Sequence, residues 1–418
     1  MNSDLGDFVR RQRAALGESE LPLKSIRVID IGTVVAAPFA TVLLADFGAE
    51  VIKVENPDVP DATRAWGVTS DGLQPWWLVV NRNKLPVTLN LRTPEGKEIL
   101  AGLIAKSDVL VENFRKGVLD RLGFSVARLF ELNKGLIIGR ISGYGQTGPY
   151  SSRPGFGTLA EAFSGFTYLN RQPGDAPISP PLPLADMIAG LHLAFSVMVA
   201  LRRARRGESG GTEIDVSLYE PLLGMLGGSF LEYWLSGEVP KPTGSEMSYT
   251  APRNNYQTKD GKWLALSASA QVPFERLMDV IGKPEYKTDP RFNTNQTRTK
   301  KENREELNRT IAEWFSRMTA REALDICEAR DITAGPIVDM REIAEDPHVR
   351  ERHTLVDRID PATGKVLRVP DVTMRVSGSP GQIRFPGLPP ESANDAVFGD
   401  LLGYTKQQLV DFKSKKVI

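Results

Sequence analysis

From Ile26 to Glu55 the chain reads "IRVIDIGTVVAAPFATVLLADFGAEVIKVE", and its apolar positions change period twice. Ile26–Ile31 is rich in β-branched apolar residues and stops at Gly32, the pattern of a strand buried in a parallel sheet. A small-residue turn and an apolar helical stretch follow to about Phe47, Gly48-Ala49 ends the helix, and "EVIKVE" starts a second strand. That is a βαβ unit, the building block of a parallel sheet covered by helices. The alternation continues with "LPVTLNL" as a strand, "TPEGKEILAGLIAK" as a helix begun at Thr93, and "SDVLVENF" as a strand. A helix around 117–132 then leads into "GLIIGRISGYG".

Farther on, Met187–Leu201 is an apolar helical run holding His192 and soon followed by Arg202 and Arg203, too short to span a bilayer. "GTEIDVSLYE" reads as a strand entering a helix over 219–236. "GEVPKPTGSEMSYTAPRNNY", 237–256, is rich in Gly, Pro and polar residues and reads as a linker. "YQTKDGKWLALSAS" predicts a hairpin turning at Asp260-Gly261, and charged helices fill 274–330. The expected organisation is an N-terminal extension 1–21, a large Rossmann-like domain beginning over 22–236, the linker 237–256, a small α+β domain 257–335, and a C-terminal return 336–418 with short strands near 365–375.

The charge balance narrows the function. Lys plus Arg and Asp plus Glu are 52 each, so there is no basic footprint for nucleic acid or an anionic membrane. One cysteine, Cys327, leaves no intrachain disulfide framework and fits a reducing compartment, and the mixed-charge start "MNSDLGDFVRRQRAALGESE" is no secretory signal; it is either a short amphipathic helix or a disordered extension. The expected location is the cytoplasm. The first turn, "GTVVAAPF", lacks the glycines that let a backbone approach a dinucleotide pyrophosphate, although Glu55 sits where a ribose-binding acid often does. His192, His348 and His353 have no paired ligand spacing, so no metal site is expected. There is no G-x-S-x-G elbow, and "GESGGTE" lacks the Lys of a phosphate-binding loop.

One carboxylate stands out. In "PPLPLADMIAGLHLAF", 180–195, Asp186 lies between a proline-rich loop and the long apolar helix. It suits an N-cap, and it equally suits a nucleophile held ionised at a helix start. Local sequence leaves both readings open.

Several blocks together resemble the class III CoA-transferases, the formyl-CoA transferase and carnitine CoA-transferase family: "RVIDIGTVVAAPFATVLLADFGAEVIKVENP", "NRNKLPVTLNLRTPEGKE", "SDVLVENFRKGVLDRLGF", "ISGYGQTGPYSSRPGF", "LADMIAGLHLAFSVMVALRRARRGESGGTEIDVSLYE" and "YQTKDGKW". The resemblance covers roughly residues 22–265. It implies an elongated ring-shaped chain interlocked with a second copy as a homodimer, with a hetero-oligomer of related subunits as the alternative. It places the family's nucleophile on Asp186. The carboxylate would attack an acyl-CoA, form an aspartyl–acyl anhydride, then become an aspartyl-CoA thioester that the acceptor acid attacks. Coenzyme A thioester is then a substrate, and no permanently bound cofactor is implied.

The resemblance assigns CoA contacts to Leu89, Arg92, Asn113, Phe114, Arg121 and Arg153, with Arg121 stacking on adenine. Surface charge for Arg92 and Arg153, and strand-end packing for Asn113 and Phe114, are the plain alternatives. Val35 and Ala36 fall where the family meets the acyl group, yet Val35 stands in place of formyl-CoA transferase's glutamine, Asn56 in place of a CoA-contacting arginine, and "GSEMSYTAPRNNY" in place of its glycine-rich loop. These departures argue against formyl and oxalyl transfer. Arg253, with Arg64 or Arg82, is the candidate partner for a second carboxylate, pointing to a succinyl-CoA-type donor and a branched or aryl-substituted succinate acceptor. The related α-methylacyl-CoA racemases add a histidine upstream of the aspartate. Here that stretch reads Gly155, Phe156 and Gly157, so a two-base route lacks one base.

Overall fold

The structure is a computed structural model and describes residues 2–67, 72–207 and 210–418, so Glu208 and Ser209 of the glycine-rich turn lie outside the described residues. The alternation read from sequence produces six parallel strands: β1 Arg27–Asp30, β2 Glu50–Glu55, β3 Lys84–Thr88, β4 Val109–Glu112, β5 Ile137–Ser142 and β6 Thr212–Ser217. Their spatial order is β3-β2-β1-β4-β5-β6, so the direction of winding reverses between β1 and β4. In such sheets ligands settle outside the carboxyl ends of the strands at that reversal.

Because side chains alternate along a strand, β1 serves two cores. Ile29 joins Ile52, Leu85, Leu110 and Ile138 on one face, together with helix α3 (Pro94–Ala105) and Phe385, Val397 and Phe398 from the C-terminal segment. Val28 joins Val51, Val109 and Ile137 on the other, against α2 (Ala36–Asp46) and a long helix introduced below. Thr93 caps α3 by accepting the Gly96 N–H at 3.0 Å, as its position predicts.

Contact density divides the chain into two units: Met1–Phe166, Ser179–Phe230 and His348–Ile418 form one, Thr167–Ile178 and Leu231–Pro347 the other. Of the two readings of the first residues the helix holds: α1 (Asn2–Glu18) buries Val9 and Leu16, and Arg13 reaches Glu50 at 2.6 Å and the Ala396 carbonyl at 2.7 Å. The division differs from the sequence reading in two places. The stretch 237–256 belongs to the second unit and already contains the start of β7 (Arg253–Gln257). The return begins at His348 rather than 336, and its hairpin pairs Leu355–Ile359 with Val366–Pro370. In the second unit β7 pairs antiparallel with β8 (Trp263–Ser267), which pairs antiparallel with β9 (Ala334–Pro336), over a core of Tyr256, Leu264, Phe274, Leu307 and Phe315.

The segment α4 (Gly157–Phe163) precedes α5, Leu184–Arg205, which at 22 residues is long and apolar enough to cross a membrane. One side of α5, carrying Ala185, Ala189, Gly190, Leu193 and Val197, is instead packed into the core against α2 and the sheet. The approach is close because of Gly190: a Cβ there would lie 2.7 Å from the Ala36 carbonyl oxygen and 3.2 Å from the Ala40 nitrogen. Gly190→Ala should therefore force α2 and α5 apart and cost about 1–3 kcal/mol, seen as a lower urea midpoint at unchanged slope.

Candidate active site

Buried charges gather around the carboxyl end of β1, from Asp30 on β1, Lys53 on β2 and Lys84 at the start of β3. Asp30 and Lys53 are register partners on adjacent strands, and both are fully buried. Lys84 donates to Asp30 Oδ2 at 3.0 Å and to the Pro38 carbonyl at 2.7 Å, while Thr41 Oγ1 donates to Asp30 Oδ2 at 2.6 Å. Lys53 lies 3.6 Å from Asp30 and 3.7 Å from Asp61 and donates to the Gly32 carbonyl. Burial opposes ionisation of Asp30, yet the two lysines hold it below its ordinary range. Burial pulls Lys84 down to about 8 against the attraction of Asp30.

This network grips the turn between β1 and α2. Asn113 accepts the Thr33 N–H and donates to the Thr33 carbonyl, each at 2.8 Å, and Asp61 accepts the Val34 N–H at 3.0 Å. Val34 is held with φ at 66°, a left-handed conformation that a β-branched residue resists. Strain of that kind persists only where surrounding bonds over-determine the backbone.

Beside the turn opens a cleft of about 490 Å³. Leu89, Phe114, Val118 and Leu122 give it apolar walls, with Arg92, Asn56 and Thr33 also at its lining. Leu89, Arg92 and Phe114 of the expected contacts are thus brought together. Asn113 acts on the turn rather than on the cleft. Arg121 is exposed outside the lining, and Arg153 is exposed with its guanidinium 3.6 Å from the Tyr150 ring centroid.

Asp186 lies in the first turn of α5 but does not cap it. The N-cap is Pro183, without a side-chain bond, and the capping reading is corrected accordingly. The carboxylate that meets the helix start is that of Glu161 on α4, which accepts the Ala185 N–H at 3.2 Å. Glu161 is 2% exposed. Asp186 itself packs on Gly157, where a Cβ would stand 2.0 Å from Asp186 Oδ2. Burial, reinforced by the charge of Glu161, pushes Asp186 up to about 6. A partly desolvated, basic carboxylate is suited to attack an electrophilic carbonyl. His192 bonds through Nδ1 to the Ile188 carbonyl, and Phe156, where racemases carry their histidine, is exposed.

Other expected contacts sit differently. Val35 and Ala36 are buried at the start of α2, so their side chains face the protein interior rather than a ligand. Arg64 is already bound bidentately to Glu55, at 2.9 and 2.6 Å, and Arg82 to Asp46, at 3.0 and 2.6 Å. Neither guanidinium is left for a second substrate carboxylate, because a buried fork already satisfied by a carboxylate would have to abandon it. Arg253, in the second unit, makes one bond to the Ser245 carbonyl at 3.2 Å and lines a polar groove with Asn254, Asn255, Ser267 and Thr333. Among the described residues no group of three or more His, Cys, Asp or Glu is placed to hold a metal ion. Sequence reading missed Glu161, Lys53 and Asp61. A lone acid in "TLAEAF" carries no local sign of burial, whereas Asp61 two residues before Thr63 has a capping signature.

A doubly wound parallel sheet with a cleft at its reversal point and a desolvated carboxylate at a buried helix start defines an α/β enzyme of acyl-transfer type. The chain belongs to CoA-transferase family III, whose model matches residues 23–394, and it is a CoA-transferase of that class. It is 38% identical over 398 residues to a succinyl-CoA–D-citramalate CoA-transferase of Chloroflexus aurantiacus, covering 95% of this chain and 98% of that protein. It is 39% identical over 401 residues to the beta subunit of a succinyl-CoA–L-malate CoA-transferase of the same organism, again covering 95% and 98%. A crystal structure of a CAIB/BAIF family protein from Brucella suis superposes with a TM-score of 0.79 at 29% identity, covering 92% of this chain and all of that one.

Gly157→Ala tests the packing of the carboxylate. With no room for a methyl group, Asp186 must move, and displacement on this scale costs about 10²-fold in turnover. CoA affinity, measured by titration calorimetry, should stay within about twofold of the parent, because the cleft is untouched.

Proposed function

We propose that this enzyme moves CoA from a succinyl-CoA-type donor to a second carboxylic acid, a substituted dicarboxylate, with Asp186 as the acyl-accepting nucleophile. The observation that carries the reading is the Asp186 carboxylate packed on Gly157 in the first turn of α5, beside the buried Glu161. Its oxygen attacks the thioester carbonyl, the C–S bond breaks, and CoA leaves as thiolate from an aspartyl–succinyl anhydride. The thiolate then attacks the aspartyl carbonyl and releases succinate, leaving an aspartyl-CoA thioester for the acceptor to resolve by the same steps in reverse. Splitting the exchange in this way replaces one difficult transfer between resting acids by steps on activated acyl groups.

In this reading Leu89 and Phe114 sandwich the adenine end of CoA, with Arg92 at its phosphates, and Arg121 and Arg153 add positive charge nearby. Arg253 is the candidate contact for a substrate carboxylate. The names of the relatives, which act with succinyl-CoA on citramalate and malate, favour a dicarboxylic acceptor. The working form is an interlocked homodimer in the cytoplasm. The exposed Leu191, Phe195, Met198 and Val199 on α5 form an apolar face suited to a second chain. A hetero-oligomer remains the alternative, since one relative is a beta subunit.

Trapping tests the nucleophile. Incubation with succinyl-CoA and hydroxylamine should convert Asp186 to a hydroxamate visible by mass spectrometry, and Asp186→Ala should abolish transfer while binding CoA. An adduct elsewhere, or surviving turnover, overturns the assignment. The anion is the reactive form, so kcat/KM should fall about tenfold per pH unit below roughly 6 and level off above 7. Arg253→Ala should raise the donor KM about tenfold through loss of a charge-assisted contact. An unchanged KM removes Arg253 from the site.

A further inference from the structure

Four deeply buried carboxylates of this unit are matched by cations. Asp30 has Lys84 at 3.0 Å, Asp46 has Arg82 at 2.6 Å, Glu55 has Arg64 at 2.6 Å and Glu112 has Arg140 at 2.8 Å. Glu161, 2% exposed, and the partly buried Asp186 are not: among the described residues neither forms an ion pair, and the partner shown for the Glu161 side chain is the Ala185 N–H. Burying an unpaired carboxylate is expensive, so two side by side call for an account beyond packing.

We propose that Glu161 is a positioning residue for the transfer reaction, its fixed negative charge destabilising the resting Asp186 carboxylate while its hydrogen bond to Ala185 fixes the helix turn that carries it. The proposal rests on the nucleophile reading above. When Asp186 Oδ bonds to the acyl carbon and the C–S bond breaks, the charge that Asp186 carried departs on the CoA sulfur. Repulsion from Glu161 is present before that step and largely gone after it, so acylation is favoured. The differential is what counts, because an interaction equal in both states changes no rate.

Among the described residues, the charges that face α5 from other elements are engaged elsewhere. Facing α5, α2 offers Asp46, which is held by Arg82. The short helix Glu220–Met225 offers Glu220, bonded to the Ser217 hydroxyl at 2.7 Å. From the sheet come Arg140, bridging Glu112 and Glu213, and Asp215, accepting the Gln146 N–H. The charge acting on Asp186 is that of Glu161, which adds to burial in raising it.

Glu161→Gln keeps the shape and the acceptor for Ala185 but removes the charge. The acid limb of kcat/KM should move from about 6 toward the ordinary aspartate range near 4, and the plateau kcat should fall about three- to tenfold with the loss of carboxylate basicity. The fraction of Asp186 trapped by hydroxylamine at a fixed succinyl-CoA concentration should fall with it. Glu161→Asp, which keeps the charge on a shorter arm, should keep its limb near 6 even where its rate is lower. Asp186 adducts in both parent and Gln variant with an unmoved limb overturn the proposal alone. A limb displaced in the Asp variant as far as in the Gln variant also overturns it. Absence of any Asp186 adduct in the parent overturns the nucleophile reading, and this inference with it.

Discussion

The carbonyl of Ala36 and the Cα of Gly190 meet so closely that only a hydrogen fits between them, and the site is built outward from that contact. It sets the separation of α2 and α5, hence the height at which α5 begins. Four residues earlier on the same helix, Asp186 meets a second glycine, Gly157, by the same absence of a side chain. Close-packed interiors transmit small displacements rather than absorb them. A carboxylate fixed between two such contacts has little freedom to turn away from its substrate.

Electrostatics divides the site into a paired half and an unpaired half. At the ends of β1 to β3, Asp30, Asp61, Lys53 and Lys84 neutralise one another and keep the Thr33–Val34 turn in a conformation it would otherwise leave. Their charges are spent on geometry. At the start of α5, Asp186 and Glu161 form no ion pair among the described residues, and the desolvation of Asp186 appears as basicity instead. The same burial therefore does two kinds of work, according to whether an opposite charge stands within reach.

The succession of strands and helices was legible because it follows from local periodicity. Ile29 and Val28 face opposite cores simply because they are neighbours on a strand. Thr93 announced its helix by type and spacing, and Leu89, Arg92 and Phe114 reached one cleft because they lie just beyond the carboxyl ends of β3 and β4, parallel strands of one sheet. Arg64 and Arg82 were misjudged for one reason: a sequence shows that an arginine is present but not that a carboxylate from another element has already claimed it. Val35 and Ala36 were placed in the right turn, but which face of a helix start is buried depends on what packs there.

The sequence alone determined a parallel α/β chain of the CoA-transferase type with one suspect carboxylate, since hydrophobic period and ordered motifs are properties of the chain itself. Tertiary structure decided what that carboxylate is. Asp186 resembled a helix cap until Glu161, 25 positions earlier, proved to hold the helix N–H in its place. Capping and basicity both depend on which groups from distant segments stand within hydrogen-bond and Coulomb range, and only folding brings those groups together.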